Sequence, residues 1–131
     1  MTKEQFIALN PCKEALTWAL AQPSLIIAWE TCHRSDWMWW LLQKTNISKE
    51  ISVKYANWCA KSVTHVKNKA ATTAAYAAAN AANAANAAYS AYAAAYAAAA
   101  AAYAADTYDR KNQADFLRSI VPNPFFTPIY K

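Results

Sequence analysis

Cys32, His33, Arg34 and Asp36 put a thiol, an imidazole, a guanidinium and a carboxylate within five residues. Such a set invites a metal or a thiol-catalysis reading, and each needs more than this spacing offers. A structural zinc site takes four convergent ligands, usually in close pairs such as C-x₂-C. Cys32 and His33 are adjacent and point apart on a helix, and His65 is the only other histidine. A nucleophilic thiol needs a positioned base and an oxyanion hole, and no spacing marks either. The expectation is a protein without catalytic residues, metal ligands or cofactor.

Tryptophan and tyrosine carry the other chemistry. Trp18, Trp29, Trp37, Trp39, Trp40 and Trp58 all lie in the first 58 residues. Neighbours on a helix diverge by about 100°, so Trp37, Trp39 and Trp40 cannot all face one core. At least one must sit at the surface, where an indole serves as a binding anchor. Six lysines against Glu50 between Lys44 and Lys69 concentrate the net charge of +5. That mild excess favours an acidic partner. Lysine patches act as point charges and read no nucleic-acid sequence.

The elements that hold these residues are helical. The chain contains no glycine, which excludes Gly-rich phosphate loops, dinucleotide fingerprints and tight two-residue hairpins. Between Ala70 and Ala105 lie 36 residues without charge, glycine or proline, 25 of them alanine. Alanine is the strongest helix former because it loses no rotamer entropy. One straight helix of that length would span about 54 Å, too long for a compact domain of 131 residues. On a helical wheel Tyr89, Tyr92, Tyr96 and Tyr103 form one stripe and Thr73, Tyr76, Asn80 and Asn83 another, on roughly opposite sides. A fold-back at Asn86 or Ser90 would aim both stripes at a shared core.

Punctuation gives the remaining helices. Thr2 with Gln5 reads as a capping box, and Asn10-Pro11 as an N-cap followed by proline at the first helical position. That helix stops before Pro23. Ser24 caps a helix from Leu25 to about His33, and Asp36 caps a short one over Trp37 to Leu42. After a break at Thr45 to Ser48, an amphipathic helix runs to about Asn68, with Ile51, Tyr55, Trp58, Cys59, Ser62, Val63 and Val66 on its apolar arc. Asp106 and Asp109 mark a turn or helix start, and Arg110 to Val121 form a helix with Phe116, Leu117 and Ile120 inward. Phe125, Phe126, Ile129 and Tyr130 are expected extended, strapped across the bundle or docked into a partner.

The expected architecture is all-α, a compact helical bundle with alanine-rich close-packed helices and an extended C-terminal tail. Residues 1–131 form one domain: Trp-rich helices over 1–69, the hairpin over 70–105, a helix over 106–121 and the tail over 122–131. Cys12, Cys32 and Cys59 are odd in number and widely spaced, and read as reduced, buried thiols. No secretory leader opens the chain, and asparagines in the alanine tract oppose insertion into lipid. A cytoplasmic protein with no membrane partner is expected.

The stretch Trp29-Glu-Thr-Cys32-His-Arg34-Ser-Asp36-Trp37-Met38-x-Trp40-Leu41 precedes the alanine-tyrosine tract and a closing Arg110-Lys-x-Gln-Ala-x-x-Leu117-Arg118-x-Ile120-Val121-Pro122. This combination, over residues 12–122, resembles alanine-rich small proteins of bacteria, phages and mobile elements. Some of these are labelled immunity proteins of polymorphic toxin systems. A glycine commonly fills the turn where this chain has Ser35. The resemblance implies an all-helical protein whose partner is a toxin or defence component. An inhibitor of that kind would use Arg34, Asp36, Trp37, Trp39, Phe125 and Phe126 as contacts. A small-ligand binder is the alternative: Tyr76, Tyr89, Tyr92 and Tyr96 would wall a nucleotide pocket, with Asn80 and Asn83 reading polar edges. Alanine faces without a partner in the chain would pair between copies as a homodimer.

Overall fold

Local signals set most helix boundaries in the computed structural model, which describes residues 1–45, 48–65, 69–106 and 109–126. Among these residues there are eight helices and no strand: α1 (Lys3–Ala8), α2 (Lys13–Ala21), α3 (Leu25–Thr31), α4 (Ser35–Thr45), α5 (Lys49–Ser62), α6 (Lys69–Ala84), α7 (Ala88–Ala105) and α8 (Asp109–Ile120). The Thr2–Gln5 capping box forms in both directions, at 3.1 and 2.8 Å. Ser24 and Ser48 accept from the amides of Ile27 and Ile51, each satisfying an orphan donor of a first turn.

Two caps differ from expectation. Asn10 does not open α2; its amide donates to the Ile7 carbonyl at 3.0 Å and its φ is 60°. It closes α1 in the left-handed conformation that asparagine tolerates, and Cys12 stands at the N-cap of α2. Asp36 does not cap α4. The Met38 amide reaches the Arg34 carbonyl, so the helix begins at Ser35, two residues earlier, and Asp36 sits in its first turn. Meanwhile α3 ends at Thr31, two residues early, and Arg118 of α8 donates to the carbonyls of Trp29 and Cys32 at 2.9 and 2.8 Å. A guanidinium from another helix thus takes the place of a local C-cap. The amphipathic helix stops at Ser62, and its expected last turn over 66–68 lies outside the described residues.

The alanine tract folds back. Helices α6 and α7 run 16 and 18 residues, separated at 85–87, so Asn86 marks the break and Ser90 lies within α7. The buried positions are Ala75, Ala79 and Ala82 on one helix and Ala91, Ala95, Ala98, Ala99 and Ala102 on the other, with only Tyr92 among the tyrosines. The two polar-aromatic stripes therefore do not share a core. Methyl groups let α5, α6 and α7 approach closely, and a phenol between them would hold them apart. Helix α5 meets both with its own small residues, Ser52, Ala56, Cys59 and Ala60, besides Tyr55.

Helices α4 and α8 pack on each other and on α7. Here large side chains fill the space: Trp39, Leu41, Leu42 and Leu117 are buried. A polar hub joins four helices. Gln113, fully buried, donates to the Ala99 carbonyl at 3.0 Å and accepts from Ser35 Oγ at 2.6 Å and Tyr55 OH at 3.3 Å. Every polar atom in such a hub needs a partner, because an orphan costs about 1–3 kcal/mol.

The described part of the tail, to Phe126, turns instead of extending. Phe126 N–H donates to the Asn123 carbonyl, Asn123 Nδ2 donates to the Ile26 carbonyl, and the Met1 ammonium donates to the Pro124 carbonyl at 2.9 Å. Phe125 packs edge-on against Phe6, with centroids 5.7 Å apart. Met1 and Phe6 are thus held against the turn at 123–125; Ile129 and Tyr130 lie outside the described residues. Among the described residues no helix is long and apolar enough to cross a membrane.

Candidate functional site

The Gln113 hub fixes the start of α4, and helical spacing then sorts its side chains. Ser35 is held on Gln113 and also accepts from Arg110 at 3.3 Å. Trp39 turns inward, 1 % exposed, stacked 5.1 Å from Tyr92 and 4.6 Å from Tyr55, and its indole N–H donates to the Tyr92 carbonyl. Asp36, Trp37 and Trp40 stand at i, i+1 and i+4, on one flank of the helix. They line a surface groove of about 280 Å³ with Tyr92 and Tyr96 of α7 and with Pro11, Cys12 and Ala15 at the start of α2.

Cations border this groove. Arg34 grips Asp36 with two hydrogen bonds, Nε to Oδ1 at 3.0 Å and Nη2 to Oδ2 at 2.9 Å, while its guanidinium lies 4.3 Å from the Trp37 ring centre. Lys44 Nζ lies 5.8 Å from Trp40, and Arg110 lies 4.5 Å over Tyr103. Partial burial pushes the Asp36 carboxyl up, but the Arg34 hydrogen bonds and the fields of Arg110 and Arg34 outweigh it and hold the pKa below the ordinary carboxylate value. Asp36 is therefore an anion at neutral pH, already engaged. Burial pushes the Tyr92 phenol up to about 12, helped by the neighbouring Tyr96 and Tyr89.

Burial raises the Cys32 pKa, the opposite of an activated nucleophile. Cys32 and Cys59 are buried, as expected, and in no disulfide, whereas Cys12 is exposed and lies at the groove. It stands at the N-cap of α2, just before the first helical residue. Among the described residues no three His, Cys, Asp or Glu side chains converge on a metal position.

The structure brings together three of the six expected partner contacts and two of the six expected ligand contacts. Arg34, Asp36 and Trp37 join Tyr92 and Tyr96 in one place. Tyr89 is 68 % exposed beside Tyr92, at 6.2 Å between ring centres. Trp39 is core, so it cannot be a contact residue. Phe125 is likewise buried on Phe6, and Phe126 alone of that pair is exposed. Tyr76, Asn80 and Asn83 are exposed on α6; Asn83 exchanges hydrogen bonds with Asn57 of α5 at 3.3 and 3.4 Å. They line no shared wall with Tyr92 and Tyr96 because α6 and α7 turn those stripes to different sides of the hairpin.

Sequence reasoning missed Trp40, Lys44, Arg110 and Tyr103. The signal for Trp40 was present, since Trp37 and Trp40 are three residues apart and share a helix flank. Lys44 follows at i+4 from Trp40. The approach of Arg110 to Tyr103 depends on the α7–α8 connection and had no local signature. Protein-family models, characterised proteins and solved structures include no match to this chain.

Proposed function

We propose that this chain is a non-enzymatic protein-binding factor, an immunity or counter-defence inhibitor of bacterial or phage origin that acts in the cytoplasm. The observation that carries this reading is the groove itself. Trp37 and Trp40 remain partly exposed on a helix whose other side is locked by Trp39 and Gln113. Rigid, partly exposed indoles beside tyrosines are the composition of binding hot spots, since they add contact area at little entropic cost. Inhibition by occlusion requires such a surface and no reacting groups.

The test is neutralisation. The chain is co-expressed with the product of an adjacent toxin reading frame, as wild type and as Trp37→Ala/Trp40→Ala. The expected outcome is protection by the wild type and an affinity loss of about 30-fold or more in the double variant, the size of a hot-spot deletion. Equal protection by both would remove the groove from the contact. The nucleotide-binding alternative keeps one observation in its favour, four aromatic rings around one cavity. A thermal-shift screen with linear and cyclic nucleotides decides it, because a tight ligand raises the midpoint.

A further inference from the structure

Resting on the protein-binding reading, we infer that the groove takes an acidic segment of its partner: one apolar side chain seated between Trp37, Trp40 and Tyr96, with flanking carboxylates on Arg34, Lys44 and Arg110. Three cations border the site, each over an aromatic ring. Asp36 is the one acidic side chain lining the groove. It is matched by Arg34, both of its oxygens being taken at 3.0 and 2.9 Å. Glu14, next to Ala15, also acts on Arg34, so three positive charges against two negative leave the rim with a local excess of one. Lys44 has no carboxylate partner among the described residues, so its charge is free to meet one from outside.

A ring beneath a cation holds it by its quadrupole without consuming its hydrogen-bond donors. Lys44 is thus pre-positioned without a carboxylate partner among the described residues, and Arg34 and Arg110 keep only the donors that Asp36, Ser35 and Gln113 do not take; pre-positioning lowers the ordering cost of a new ion pair. A basic segment would meet Lys44 and Arg110 as like charges at the rim, with Asp36 already held by Arg34, and mismatched charge at an interface costs specificity and on-rate. A nucleic-acid strand needs a long cationic track with successive stacking platforms. Three cations around one cavity provide a short acidic stop instead.

Nuclear magnetic resonance on the ¹⁵N-labelled full chain tests this, with indole N–H signals as reporters. The probes are four: acetylated hexapeptides Glu-Glu-Leu-Phe-Glu-Glu, Lys-Lys-Leu-Phe-Lys-Lys and Ser-Ser-Leu-Phe-Ser-Ser, and an oligothymidylate. The acidic peptide is expected to shift Trp37 and Trp40 while buried Trp29 and Trp39 stay in place. It should bind about 10-fold more tightly than the basic one, and weaken about 5-fold in Lys44→Glu or at high salt. Equal binding of all three peptides, or preference for the basic one, overturns the acidic-partner inference and leaves the protein-binding reading standing. Tighter binding of oligothymidylate overturns both. If no probe moves Trp37 or Trp40, the inference falls, and the neutralisation assay decides the broader reading by itself.

Discussion

On α4 the inward position is Trp39, between Tyr55 and Tyr92; on α6 and α7 the inward positions, Tyr92 apart, are alanines with one methyl each. An aromatic side chain buries about 150–250 Å², whereas a methyl contributes about 0.8 kcal/mol at most. The tryptophan-bearing side gains stability from bulk and shape. The alanine side gains it from helix propensity and from backbones brought close over a long, smooth contact. Each side is therefore vulnerable to the opposite error: removal of atoms in the first, addition of atoms in the second. The groove lies where they meet, with Trp37 and Trp40 from one side and Tyr96 from the other. A slim α7 brings its tyrosines near α4 without obstruction.

Three substitutions press on this contrast. The largest effect belongs to Trp39→Ala, which opens a cavity, ends two ring contacts and frees the Tyr92 carbonyl. About 3–5 kcal/mol of stability should be lost, read from urea midpoints at unchanged slope. Next comes Ala95→Leu, at a position with no exposed surface. Overpacking there should cost about 1–3 kcal/mol, while Ala97→Leu on the outer face of α7 should stay within about 0.5 kcal/mol. If Ala95→Leu were neutral, the hairpin would not be closely packed and the contrast would fail.

The smallest effect concerns charge. Asp36 has its folded-state pKa held below the unfolded value of about 3.9. Its contribution to stability is complete above that value and is lost as pH falls through the folded-state pKa. Wild type should therefore exceed Asp36→Asn at pH 6 and lose that advantage as pH falls below about 4. Urea midpoints at several pH values in this range check the sign. A constant difference would mean that the Arg34 grip does not bias the fold.

Much of the fold was legible because its determinants are local. Thr2, Ser24, Ser48 and Pro23 each act within four residues of a helix end, so they work in almost any tertiary setting. The fold-back near Asn86 followed from length alone. Asn10 misled because an N-cap and a C-terminal closure use the same residue types, and only the path of the chain selects one; Asp36 misled because a carboxylate suits both the N-cap and the first turn of a helix. Tyr76, Asn80 and Asn83 misled because amphipathic reading places the larger side chains inward, whereas close helix contact favours the smallest.

The sequence by itself determined that the chain is helical, where most helices start, and that the alanine tract must double back, since propensity, capping and proline geometry are properties of a few adjacent residues. Tertiary structure alone decided which indole is core and which is surface, that Arg118 and Gln113 complete distant helices, and that Arg110 comes to rest on Tyr103. Those outcomes depend on how α4, α7 and α8 are placed in space. Placement emerges from the packing of all their faces at once, so no short window of residues contains it.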